Sequence, residues 1–172
     1  MEKFLLIQKN VPGAVDAFIP ANRKKLQGSR DLLAVMMALW KKKGEAYILA
    51  APAFMGQFGK EVTPGKLRSA FRILGFDGMV EVALFADILT MKEALEFDKH
   101  VRKAGDFQMT SCCCPIWISM LRKEKWMDHV PGAVSPMIAA GRVVKRLHPE
   151  ALTVFIGSCL AKKGGGKRSR CC

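Results

Sequence analysis

The chain has 172 residues, half of them apolar and a quarter charged, which is typical of one globular domain with a hydrophobic core. No run of about 18 uncharged apolar residues occurs and the N-terminus lacks a secretory signal pattern, so we expect a cytoplasmic protein without a membrane span. The net charge of +13 would suit nucleic acid or an acidic partner protein, but the basic residues form short separate groups without a nucleic-acid motif, so we expect mostly solvated surface.

The first half of the chain predicts a helix, a strand, a loop and a second helix. Residues 29–43 begin with a serine cap and end in lysines before a glycine, which favours a helix. The apolar run Tyr47–Ala51 is typical of a strand buried on both faces. A glycine-bearing loop with Pro52 and Ala53 follows, and its backbone could lie close to a ligand. A threonine cap, a proline and a final glycine then predict a helix over residues 64–74.

A long helix is the main predicted element in the middle of the chain. A second strand, Met79–Ala83, precedes it, and the helix is predicted over Phe85–Lys103. Apolar residues recur at helical spacing along this segment, which predicts that one face is buried in the core. These residues are Leu84, Ile88, Met91, Leu95 and Val101.

The second half of the chain continues the alternation of strands and helices. A third strand is predicted at Phe107–Thr110, helices within residues 116–126 and 136–147, and a fourth strand at Leu152–Gly157. Such alternation predicts an α/β fold with a mostly parallel four-stranded sheet, flanked by helices on both faces.

Three consecutive cysteines, Cys112, Cys113 and Cys114, follow the third predicted strand, and Cys159 follows the fourth. Because ligands bind beyond the carboxyl ends of parallel strands, we expect Cys114 and Cys159 at one binding edge. Adjacent cysteines in a reducing compartment are poor disulfide partners. Thiolates select iron-sulfur clusters, zinc or copper(I), but the spacings typical of zinc pairs and of ferredoxin clusters are both missing. The residues alone therefore leave the metal open.

The segments TSCCCPIW, VSPMIAAGRV and VFIGSCLAKK resemble two signature loops, and the helix between them, of the iron-iron (FeFe) hydrogenase catalytic domain. The usual forms of these loops are TSCCPxW and MPCxxKxxE, and the similarity begins at AYILAAPAF. The resemblance implies one lobe of that domain over residues 29–163. Residues 1–28 are then expected to be a poorly defined N-terminal segment, and residues 164–172 a disordered basic tail.

The resemblance implies an oxidoreductase that reversibly reduces protons to dihydrogen and takes electrons from a ferredoxin-type protein. The implied cofactors are a 4Fe-4S cluster and a two-iron subsite, which together form the H-cluster. Cys114 and Cys159 match ligands of the 4Fe-4S cluster, and Cys113 matches the cysteine that carries protons to the two-iron subsite. The other matched residues are the proton-relay glutamates, Glu93 and Glu96, and the residues that line the two-iron subsite, Pro52, Ala53 and Lys162.

Cys112 stands where the family usually has serine and inherits no role, and Cys171 and Cys172 have no counterpart. Met137 replaces a glutamine, Pro131 falls where the relay carries a serine, and the second loop departs from the family at Gly157, Ser158 and Gly165.

The third signature loop, which supplies two more cluster cysteines, is missing from the sequence. We therefore expect the chain to be inactive alone and to need a second chain that carries the other lobe. The alternatives are a non-catalytic iron-sulfur-binding relative with a sensor or assembly role, and a truncated remnant.

Overall fold

The computed structural model describes residues 5–7, 31–106, 109–159 and 161–162. Within them the chain forms an α/β fold. The strands are β1 (Leu5–Ile7), β2 (Ala46–Ala50), β3 (Gly78–Glu81) and β4 (Leu152–Ile156), and the helices are α1 (Asp31–Trp40), α2 (Pro64–Ile73), α3 (Val82–His100), α4 (Pro115–Lys123) and α5 (Pro136–Leu147). All strand pairs are parallel, in the order β1-β4-β2-β3.

The α/β class and the parallel sheet are as predicted, but the predicted set of four strands is not confirmed. Met109 and Thr110 lie outside any strand, while Phe107 and Gln108 fall outside the described residues. The backbone N–H of Thr110 donates to the carbonyl of His129 at 2.8 Å, so it joins a loop and not the sheet. In the sheet, β4 lies between β2 and β1, and β1 is a strand that the sequence pattern did not indicate.

Helices cover both faces of the sheet because successive residues of β2 and β4 point to opposite sides. On one face Leu49 and Phe155 are buried against α3 and α5. On the other face Ile48 and Val154 are buried with Val35 of α1, and side chains of α2 pack against the same cluster. The carboxyl ends of β2 and β4 are thereby held side by side, with the N–H of Ala51 donating to the carbonyl of Ile156 at 2.8 Å.

The second helix has the ends that its sequence predicts. The hydroxyl of Thr63 accepts a hydrogen bond from the N–H of Lys66 at 3.3 Å, and Pro64 occupies the first helical position. Gly75 follows the helix with a φ of 97°, a conformation that costs glycine little because it has no Cβ.

The helix α3 buries the face opposite to the predicted one. The residues that face inward on α3 are Val82, Phe85, Leu89, Glu93 and Glu96. The apolar residues predicted to be buried form an exposed stripe, which we call the α3 stripe: Leu84 is 58% exposed, Ile88 53%, Met91 72% and Leu95 68%, whereas Val101, just beyond the helix, is partly buried. Two glutamates on the inward face made that face look polar in the sequence, and helical periodicity alone does not show which face meets the sheet.

None of the helices in the described ranges combines the length and the apolar character that a bilayer crossing requires.

Candidate functional site

The cysteine loop, residues 109–114, is fixed at both ends by hydrogen bonds. Thr110 bonds to the backbone of His129, and its hydroxyl accepts a 2.8 Å hydrogen bond from the indole N–H of Trp117 on α4. Pro115 is the first residue of α4, and the carbonyl of Cys114 accepts the first helical hydrogen bond, from Ile118 at 3.0 Å. The loop is therefore held by the helix that follows it.

The three adjacent cysteines have different surroundings. Cys112 is only 6% exposed, and its thiol donates to Oε1 of Glu93 on α3 at 3.3 Å. Cys113 and Cys114 are partly buried, and Sγ of Cys113 lies 3.2 Å from the hydroxyl of Ser111. The resemblance implies that Cys113 is the proton carrier, yet the thiol hydrogen-bonded to Glu93 is that of Cys112.

The two glutamates of α3 both face inward and are partly buried. They lie three residues apart, on neighbouring positions of one helix face. Glu93 contacts the cysteine loop, and Oε1 of Glu96 accepts a 3.2 Å hydrogen bond from the backbone N–H of Gly132, in the loop before α5. The two carboxylates therefore connect α3 to two different loops.

The loop after β4, residues 157–162, carries the other predicted site residues; residue 160 lies outside the described part of the chain. Cys159 is exposed, and its carbonyl accepts a 3.3 Å hydrogen bond from the backbone N–H of Lys162. The ammonium group of Lys162 donates to the carbonyl of Cys113. This contact brings the two cysteine-bearing loops together near the carboxyl edge of the sheet, although residues 109 and 110 before the cysteines form no strand.

Pro52 and Ala53 lie at the same edge. They belong to a short 3-10 turn, Pro52–Phe54, that begins one residue beyond the end of β2, and both are exposed. Because β2 and β4 are neighbours in the sheet, this turn and the loop of Cys159 leave the same edge.

Ser135 is a candidate site residue that the sequence analysis missed. It precedes α5, and its hydroxyl is buried without a hydrogen-bond partner among the described residues. A short turn joins the end of α5 to the start of β4, so α5 runs back along the sheet and begins near its carboxyl edge. The sequence signal that could have identified Ser135 is a serine followed by a proline at the start of a helix. Met137, two residues further on, is 2% exposed in the core.

The shifted pKa values lie at the other end of the strands. The Lys42 ammonium and the N–H of Ala46 hydrogen-bond the Asp77 carboxylate, and these bonds lower the pKa of Asp77. Burial and the neighbouring Glu45 carboxylate raise the pKa of Tyr47. Asp77 precedes β3 and Ala46 begins β2, so these groups stabilise the amino edge of the sheet and take no part in the candidate site.

The described residues include donors of the kind that an iron-sulfur cluster uses. A 4Fe-4S cluster takes four thiolates, and Cys114 and Cys159 are free thiols on the two loops that the Lys162 ammonium joins. No group of three or more His, Cys, Asp or Glu side chains in the described ranges is placed to hold a metal ion. The donor set is therefore correct in kind but incomplete within this part of the chain.

Comparison with known proteins agrees with this chemistry. The model of the family described as "Iron only hydrogenase large subunit, C-terminal domain" matches residues 45–171, which includes most of the segment expected to be a tail. Iron hydrogenase 1 of Clostridium pasteurianum is 31% identical over 116 residues, which cover 62% of this chain and 20% of the relative. The NADP-reducing hydrogenase subunit HndD of Solidesulfovibrio fructosivorans is 29% identical over 152 residues, 75% of this chain and 26% of the relative.

The chain thus spans about a fifth to a quarter of the length of these two relatives. The family match covers well over half of the chain. The chain therefore belongs to the C-terminal domain family of the iron-only hydrogenase large subunit.

Proposed function

We propose that this chain forms one side of the iron-sulfur site of an iron-only hydrogenase, and that the complete site interconverts protons, electrons and dihydrogen. The observation that carries the proposal is the hydrogen bond from Lys162 to the carbonyl of Cys113, because it joins the two loops that resemble the family's signatures. Residues 29–163 would form most of this lobe; β1, from residues 1–28, joins its sheet, and the family match continues to residue 171.

In this proposal Cys114 and Cys159 ligate the 4Fe-4S cluster as thiolates, while Pro52, Ala53 and Lys162 line the two-iron subsite. When bound, these groups supply the redox chemistry. The other two cluster thiolates would come from a segment outside the described residues or from a second chain. The chain matches only 20% and 26% of the lengths of the two relatives, which supports a need for further protein. We expect no turnover from the described residues alone.

Electrons would come from a ferredoxin-type carrier. The net charge of +13 favours an acidic partner, because opposite charges speed the encounter of two proteins.

The protein's own contribution to proton handling would lie on the cysteine loop and α3. Cys113 would hold a proton at Sγ, beside the hydroxyl of Ser111. Glu93 and Glu96 would hold protons at their Oε1 atoms, one helical turn apart. Glu96 is oriented for this role by the N–H of Gly132, whereas the neighbouring Pro131 stands where the resemblance implies a relay serine.

Metal binding can be tested by anaerobic reconstitution of the full chain with ferrous iron and sulfide. We expect bound iron with the visible absorption of an iron-sulfur cluster, and substantially less iron in Cys114→Ala and in Cys159→Ala. Cys112→Ser is the matched control: it removes a thiol that is not a proposed ligand, and its hydroxyl can still donate to Glu93, so iron binding should stay unchanged. Equal iron in the unmodified chain and in Cys114→Ala would contradict the assignment of ligands.

A second candidate function is a non-catalytic iron-sulfur protein of the same family, with a sensing or assembly role. It is favoured by Met137, which is buried in the core where the resemblance implies a glutamine that faces the two-iron subsite. Infrared spectra after anaerobic maturation separate the two candidates. Bands of bound carbon monoxide and cyanide, with hydrogen evolution once the partner segment is supplied, would support the hydrogenase. An iron-sulfur cluster without those bands would support the second candidate.

A further inference from the structure

Cys112 is the one member of the cysteine triplet for which the resemblance implies no role, and it is also the most buried. It is 6% exposed, whereas Cys113 and Cys114 are partly buried and Cys159 is exposed. Its thiol donates a hydrogen bond to Oε1 of Glu93 across the gap between the cysteine loop and α3. Burial and a carboxylate partner together set this thiol apart from its neighbours.

The contact fixes which way the loop faces. The backbone bends at Cys112 and Cys113, and within this bend the thiol of Cys112 faces Glu93 of α3. Sγ of Cys113 lies near Ser111, and the carbonyl of Cys113 accepts from Lys162. The cysteine loop is therefore held on one side through Cys112 and on the other through the backbone of Cys113.

We propose that Cys112 is a positioning residue: its S–H···O hydrogen bond to Glu93 attaches the cysteine loop to α3 and presents Cys113 and Cys114 on the accessible side. Glu93 is thereby hydrogen-bonded by Cys112, the thiol to which the resemblance assigns no role. The importance of this orientation for cluster binding rests on the proposed function, but the hydrogen bond itself does not.

Infrared spectroscopy of the metal-free full chain tests the hydrogen bond directly. The S–H stretch falls in a region nearly free of other protein bands, and its frequency drops when the thiol donates a hydrogen bond. The band of Cys112 is obtained as the difference between the unmodified protein and Cys112→Ser, and that of Cys159 from Cys159→Ser. We expect the Cys112 band at lower frequency than the Cys159 band. A Cys112 band at equal or higher frequency overturns the proposal.

Substitutions of Glu93 separate the hydrogen bond from mere burial. Glu93→Gln keeps an oxygen acceptor and should retain the lowered Cys112 band, whereas Glu93→Leu removes the acceptor and should shift the band upward. Glu96→Leu, one turn away on the same face, is the matched control and should leave the band unchanged. An unshifted band in folded Glu93→Leu overturns the proposal; if that variant does not fold, the comparison with Cys159 in the unmodified protein decides.

Alkylation by iodoacetamide, quantified on peptides by mass spectrometry, tests the orientation of the loop. Because a thiol must be accessible to react, we expect Cys112 to be labelled at least about tenfold more slowly than Cys113 in the unmodified protein. Equal labelling of the two thiols contradicts the proposed orientation. Neither measurement requires iron, so a failed reconstitution would count against the proposed function alone, and an unbonded Cys112 thiol against this inference alone.

Discussion

Leu84 and Phe85 are neighbours in the sequence, yet Leu84 lies on the exposed face of α3 and Phe85 on its buried face, so a pair of alanine substitutions measures which face packs. Phe85 is 9% exposed in a core cluster with Val144 and Phe155, whereas Leu84 is 58% exposed. We expect Phe85→Ala to lower the free energy of unfolding by about 3–5 kcal/mol, the usual cost of removing a buried aromatic ring. Leu84→Ala should change it by no more than about 0.5 kcal/mol, since leucine and alanine have similar helix propensities.

Urea unfolding followed by the helical circular dichroism signal gives both free energies on one scale. Met91→Ala repeats the test at a second position of the α3 stripe and should match Leu84→Ala. Total stability is typically only about 5–15 kcal/mol, so Phe85→Leu is the milder fallback, with an expected loss of roughly 1 kcal/mol. A loss above about 1 kcal/mol for Leu84→Ala, with little loss for Phe85→Ala, would refute the packing described here and restore the face predicted from periodicity.

Three further predictions concern single contacts. Thr110→Val removes the acceptor of the Trp117 indole N–H and should cost about 1–3 kcal/mol of unfolding free energy. Thr110→Ser keeps the hydroxyl and should cost less. Equal losses of the two variants in urea unfolding would show that the hydrogen bond contributes little. The folded pKa of Asp77 is lowered, so its stabilising effect is present above the unfolded pKa of about 3.9 and is lost as pH falls toward the lower folded value. The difference in unfolding free energy between the unmodified protein and Asp77→Asn should therefore shrink below about pH 4. A difference that persists under more acidic conditions would argue against the Lys42 hydrogen bond. Lys162→Met removes the donor to the carbonyl of Cys113 and should speed hydrogen exchange in residues 157–159 relative to Lys162→Arg; identical exchange in the two variants would mean that the contact does not hold the loop.

The sequence predicted the parts of the fold whose signals are local. The apolar run of β2 and the cap, proline and glycine of α2 were sufficient because each acts within a few residues. The strand predicted at Phe107–Thr110 was wrong in its described part because the partner of Thr110 is a distant loop carbonyl. The residues of the α3 stripe were predicted to be buried but are exposed, because a helix with apolar residues on two faces gives no local sign of which face meets the sheet.

The candidate site could be predicted as a set of residue types but not as a set of contacts. The predicted strands placed Cys114 and Cys159 at one edge of the sheet, but residues 109 and 110 before the cysteines form no strand, and the two loops are joined by the Lys162 ammonium. Which of three adjacent thiols turns toward α3 depends on the orientation of a loop fixed by Trp117 and His129, and the sequence does not show these contacts. The buried hydroxyl of Ser135, which has no hydrogen-bond partner among the described residues, is also visible only after folding, because burial and pairing are properties of the packed chain.

The position of β4 has a consequence for how the molecule folds. It is the last strand in chain order but lies between β1 and β2 in the sheet, and the β1 residues Leu5–Ile7 pair with Val154–Ile156. A pairing between such distant segments carries a large loop-closure cost and is slow to form. During synthesis β2 and β3 can pair early, while β1 must wait for nearly 150 further residues before its partner leaves the ribosome. The edge of β2 that later receives β4 stays open in that interval and is therefore exposed to wrong pairing.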